Sequence, residues 1–171
     1  MKLGAYALLA ALALLGSLIV TPLWALMLSP LPTPEIALVV VVWTVLRSGG
    51  SLVSDLILAL IVGYLTDLTS AFPRGLHMFT FGFTAALLRL FATRLLLEKP
   101  WQTMALTWVV TLLHQTLVLC LVAPLYGSGA ALPWHRVPLT ALTTCAVVPL
   151  CQHVVERLMG AVSTAGIARH A

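Results

Sequence analysis

The sequence predicts an all-α, polytopic integral membrane protein of about six transmembrane helices, and three observations carry that prediction. Only 8% of its 171 residues are charged and 61% are hydrophobic; soluble domains carry roughly 25% charge. Mean hydropathy is +1.07. The apolar residues are gathered into long runs with short polar breaks, as required where each helix must satisfy its own backbone polar groups inside a bilayer. So few charges cannot clothe a water-compatible surface, and there is no room for a separate soluble domain. The chain is read as one membrane domain, residues 1–171.

The first segment, about 4–28, follows Lys2. A secretory signal has an apolar core of about 7–15 residues followed by a cleavage site. This run is longer and more hydrophobic segments follow it, so it reads as a retained helix. Its stretch "AYALLAALALLGSL" presents Ala7, Ala10, Ala11, Ala13 and Gly16, small residues that favour close helix packing. The second segment, about 34–46, is "PEIALVVVVWTVL", short of the roughly 20 residues of a full crossing. It either crosses in part or borrows its outer end from "SPLPTP", whose prolines disfavour a regular helix. The third, fourth, fifth and sixth segments cover about 52–71, 76–97, 101–125 and 137–160.

Lys and Arg mark cytoplasmic loops. With the N-terminus inside, the cytoplasmic side receives Lys2, Arg47, Arg94, Lys99, Arg157 and Arg169, and the outer side Arg74 and Arg136. Both termini are therefore expected in the cytoplasm, and the net charge of +4 expresses topology rather than affinity for nucleic acid. Trp24, Trp101, Tyr126 and Trp134 fall near segment ends, where interfacial aromatics gather. Cys120, Cys145 and Cys151 form no C-x-x-C pair, which argues against a disulfide framework or zinc site; they are expected to serve as small packing residues.

Charges within the membrane must find partners or water, so they are the most informative residues. If the third and fourth segments form an antiparallel hairpin turning at Pro73, Arg89 lies level with about residue 57. Asp55 and Arg89 can then pair, or each can snorkel separately to the interface. Asp67 lies six residues before Pro73 and level with 78–80. Its candidate partners are His77 and, in the turn, Arg74. Gly63, one helical turn earlier, shares its face and allows a close backbone approach. Asp67 therefore either ties its own hairpin or meets another protein's helix. His114 and Gln115 in the fifth segment, and Gln152, His153 and Glu156 in the sixth, read as interhelical hydrogen-bonding groups rather than shared metal ligands. No Ser-His-acid set, phosphate loop or H-E-x-x-H motif is present in the sequence, so neither catalysis nor a cofactor is expected.

"TPEIALVVVVWTVLRSG" followed by "GYLTDLTSAFPRGLHMFTFGFTAALL" resembles the bacterial rod shape-determining MreD family. Pro34, Glu35, Trp43 and Arg47 match a Pro-acidic pair opening an apolar segment that closes on an aromatic and a basic residue. Gly63, Asp67, Leu68, Gly75, Leu76 and His77 match a G-x-x-x-D-x-x-S/T block and the Gly-Leu-His opening of the next helix. The specific part covers about 34–88. The turn "AFPRG" departs from members that carry another glycine there, and the last two segments match in hydropathy only.

The resemblance implies a non-enzymatic inner-membrane component of the elongation machinery for lateral-wall peptidoglycan. Its implied partner is MreC, with MreB, RodZ, RodA and an elongation-specific transpeptidase in the wider assembly. It also implies a fold similar to the substrate-binding subunits of energy-coupling-factor vitamin transporters, which supplies the rival reading. Such a subunit needs convergent polar groups near its outer side, for which this chain offers chiefly Trp134, His135 and Arg136.

Overall fold

The computed structural model describes residues 3–27, 31–47, 51–70, 73–92, 100–126 and 133–168. Those residues form six helices: α1 (Leu3–Met27), α2 (Ile36–Arg47), α3 (Leu52–Thr69), α4 (Leu76–Ala92), α5 (Pro100–Tyr126) and α6 (Arg136–Ala168). Four are long and apolar enough to cross a membrane, while α2 and α4 are shorter apolar helices. Of the charges that set the expected orientation, Lys2, Arg94, Lys99 and Arg169 lie outside the described residues, as does the end of the expected fourth segment beyond Ala92. The sixth helix runs past the expected boundary near 160 to Ala168.

The 12-residue α2 is the centre of the bundle. It packs against each of the other helices, and its residues from Ile36 to Val45 are buried. Its sequence "IALVVVVWTVL" has no polar face, as expected of a helix enclosed on all sides. At 1.5 Å per residue it rises about 18 Å, too little to span a bilayer alone. The missing length is not recovered as helix, for residues 31–35 are irregular. Irregular backbone is tolerated at membrane depth only when protein covers it. Pro32 and Pro34 lower the demand because they carry no N–H, and the Glu35 amide donates to Thr144 Oγ1 at 3.0 Å.

The closest pairings are the antiparallel hairpins α3–α4 and α5–α6. Ser51 caps α3, its hydroxyl accepting from the Ser54 amide. Tyr6 donates to Ser54 Oγ at 3.1 Å, so α1 and α3 begin at the same end of the bundle. Arg47 at the close of α2 lies 3.7 Å from Glu156 on α6, which brings the C-terminal part of α6 to that end as well. The outward faces carry large apolar side chains, among them Ile19, Ile57, Phe79, Phe83 and Leu150, which meet lipid where a soluble protein would meet water. Trp101 and Trp134 are exposed at the heads of α5 and α6, as interfacial aromatics are. Of the cysteines expected to serve as small packing residues, Cys145 and Cys151 are half-buried and Cys120 is exposed; all three are free.

Candidate functional site

The α3–α4 hairpin holds most of the residues singled out by the sequence, and its geometry starts from two glycines. Gly63 on α3 faces the first turn of α4 so closely that a Cβ there would stand 2.6 Å from Met78 Cα and 2.7 Å from the His77 carbonyl oxygen. These are main-chain atoms, so no side chain can swing aside. Gly75 closes the turn with φ +91°, a left-handed conformation that L-residues with a Cβ rarely adopt. Nothing crowds its Cα, so the constraint on Gly75 is conformational while that on Gly63 is steric.

This close approach brings the Asp67 carboxylate against the start of α4. Its Oδ2 accepts from the Gly75 amide at 2.9 Å and the Met78 amide at 3.0 Å, and its Oδ1 from the His77 amide at 2.9 Å. The Leu76 amide donates to the Pro73 carbonyl at 3.2 Å and the Phe79 amide to the Gly75 carbonyl at 2.9 Å. The first amides of a helix have no intrahelical acceptor; in α4 each now has one. A carboxylate beside the positive end of the helix dipole is also electrostatically favoured. Asp67 is 4% exposed, so the three bonds compensate an otherwise expensive burial.

Sequence reading offered His77 and Arg74 as candidate partners of Asp67. Its three hydrogen bonds come from backbone amides, His77 taking part through its N–H. Arg74 is exposed, and among the described residues no ion pair joins it to Asp67. The physical reason is reach: with Gly63 admitting α4 so closely, the carboxylate sits under the helix end while the Arg74 side chain leaves the turn toward the surface. Of the two readings of Asp67, the geometry supports the hairpin tie.

At the other end of the hairpin, Arg89 Nη1 lies 3.3 Å from Asp55 Oδ2 and donates to the Val45 carbonyl at 3.1 Å. Asp55 is 1% exposed, and the Tyr6 hydroxyl stands 3.5 Å from its Oδ1. Asp55 and Arg89 therefore meet rather than snorkelling apart, linking α3 and α4 to α2 and α1.

A second polar assembly joins α2, α4, α5 and α6. Gln115 donates to Glu35 Oε1, and the Glu35 amide binds Thr144. Pro34 is buried beside it. His114 is fully buried, with Nδ1 3.2 Å from Thr84 Oγ1 and its ring edge-on to Phe81 at 4.7 Å. The Phe81 ring lies 6.4 Å from that of His77. Sequence reading missed how these residues converge. A signal was present in Thr103, Thr107, Thr111 and Gln115, spaced by four and so on one face of α5; Thr107 and Thr111 bond back to the preceding turn at 2.8 Å. Glu156 pairs with Arg47. Trp134, His135 and Arg136, the groups on which the transporter reading would draw, are exposed at the head of α6. Among the described residues no group of three His, Cys, Asp or Glu side chains is placed to hold a metal ion.

No curated protein and no solved structure matches the chain. A family model described as rod shape-determining protein MreD matches residues 2–132, which includes the hairpin, the Asp55–Arg89 pair and all of α5.

Proposed function

The chain belongs to the MreD family of rod shape-determining proteins, and from that premise we propose that it is a non-enzymatic component of the bacterial cell-elongation complex. In this reading it lies in the inner membrane with both termini cytoplasmic. It binds MreC and supports rod shape and lateral-wall peptidoglycan synthesis alongside MreB, RodZ, RodA and the elongation-specific transpeptidase. The observation that carries the proposal is the family match across residues 2–132.

The disposition of its charged groups supports a scaffolding role. Asp67 accepts from three main-chain amides, Asp55 pairs with Arg89 and Glu35 joins Gln115. Each carboxylate holds one helix to another, the function expected of polar residues in a membrane bundle. Partner recognition then falls to the lateral apolar faces.

Depletion in a rod-shaped host tests the proposal. Rounded cells, restored by a wild-type copy, are expected, together with copurification of MreC from mild detergent. Normal rods after depletion, with a vitamin tightly retained by the purified protein, would overturn it in favour of a transporter subunit.

A further inference from the structure

Between α1 and α3 lies a groove of about 510 Å³. Ala7, Ala11 and Leu14 line it on one side and Ile57, Ile61 and Leu65 on the other. Its origin is legible in composition: where α1 presents alanine, no side chain reaches far enough to fill the space beside α3. The groove opens sideways, because Ile57 and Ile61 are 52% and 46% exposed. Apolar walls do not hold water, and an empty void forfeits the dispersion contacts of every atom that lines it. Within a bilayer the occupant must therefore be apolar.

Length decides between the two apolar occupants available there. From Ala7 to Leu14 α1 rises about 10 Å, and from Ser54 to Leu65 α3 rises about 16 Å. One leaflet of a roughly 30 Å hydrocarbon core is about 15 Å deep. A second transmembrane helix would need a channel through both leaflets. The groove's lining ends at Leu14 on α1 and Leu65 on α3; the void of about 10 Å³ beside Ala10, Ala13, Ala37 and Val62 lies on the core side of the same helices and does not extend it. The groove's other end is polar, where the Tyr6 hydroxyl donates to Ser54 Oγ near the starts of both helices. An apolar slot one leaflet deep with hydroxyls at its mouth matches a molecule with an apolar tail and a polar head.

We infer that the α1–α3 groove seats one acyl chain of a phospholipid from the leaflet surrounding the start of α1, with its glycerol region level with Tyr6 and Ser54. The chain completes the packing of α1, whose buried residues, among those described, are Leu9, Ala10 and Ala13.

The test uses the whole protein in vesicles of phosphatidylethanolamine and phosphatidylglycerol, doped with a phospholipid carrying a diazirine at mid-chain. After illumination, peptide mass spectrometry is expected to find label on residues 7–14 and 54–65 several-fold above other lipid-facing stretches such as 109–121. Ala11→Phe, which fills the groove, should cut that labelling several-fold. Ala7→Leu provides a milder plug should the larger side chain prevent folding, and circular dichroism establishes that each variant is helical. Uniform labelling of all outward faces, or unchanged labelling in a folded plugged variant, would overturn the inference. So would a photo-crosslinker at Ala11 that captures a single-span protein in native membranes, which would assign the groove to a helix.

Discussion

Gly63 and Met78 are packed so tightly that the missing Cβ of one would stand 2.6 Å from the Cα of the other. This contact sets the spacing of the α3–α4 hairpin and lets a carboxylate one turn further along α3 reach the amides of α4. A glycine and an aspartate four residues apart therefore act as one device: the first sets the distance, the second uses it.

Gly63→Ala should accordingly force the two backbones apart. Overpacking a well-filled interior costs about 1–3 kcal/mol, and a clash with main chain belongs toward the upper end. The expected outcome is a lowered melting temperature in detergent micelles, read by circular dichroism, with a larger drop for Gly63→Leu. Gly82→Ala is the control, because there the opposing atom is the end of the flexible Leu60 side chain, 2.9 Å away; it should cost less. Equal losses at both positions would contradict a backbone clash at Gly63.

Asp67→Asn keeps the shape but removes the charge and turns one acceptor into a donor facing an amide. Hydrogen bonds to charged groups contribute about 1.5–3 kcal/mol each, so a loss of about 2–3 kcal/mol is expected. Asp67→Ala should lose more, since three buried amides are then left without acceptors. Amide hydrogen exchange at Gly75, His77 and Met78 should accelerate in both variants. If Asp67 instead serves a partner's helix, stability and exchange will stay at wild-type values while copurification with MreC falls.

Asp55 and Arg89 should be strongly coupled. Removing one member of a buried ion pair strands the other at a cost of about 3–5 kcal/mol, whereas replacing both with apolar residues is often nearly neutral. Arg89 is the less buried partner and also donates to the Val45 carbonyl, so Asp55→Leu alone, which leaves a partly exposed cation able to snorkel, should be milder than Arg89→Met alone. The double variant Asp55→Leu/Arg89→Met should be more stable than Arg89→Met. Melting temperatures across the cycle measure the coupling; additive losses would show that the two groups act independently.

Much of this was legible in the sequence. Hydropathy separates six segments, and counting residues from Pro73 places Arg89 within two positions of Asp55 and Asp67 level with the opening of α4. Gly63 is recognisable as a close-approach residue because glycine on a membrane helix has few other uses. The partners of Asp67 were not legible. A search for donors finds Arg74 and His77 because their side chains are conspicuous, whereas every residue except proline has an amide and the letters do not mark which amides lack acceptors. The link from Glu35 to Gln115 was hidden for a different reason: the two lie 80 positions apart, and no count from a single turn relates their depths.

The sequence by itself determined that the chain lives in a membrane, roughly where its helices begin and, within the α3–α4 hairpin, how deep the polar groups sit. All three follow from one-dimensional quantities, namely run length, breaking residues and distance from a turn. Tertiary structure decided that the short second segment is the enclosed centre, that the Asp67 carboxylate caps α4, and that a groove of about 510 Å³ opens between α1 and α3. Those outcomes depend on the rotation of each helix about its axis and on its distance from its neighbours. Packing all six helices together sets both, because in a bilayer most faces of a helix are apolar and few carry a polar row, such as Thr103, Thr107, Thr111 and Gln115 on α5, to mark in advance which way it will turn.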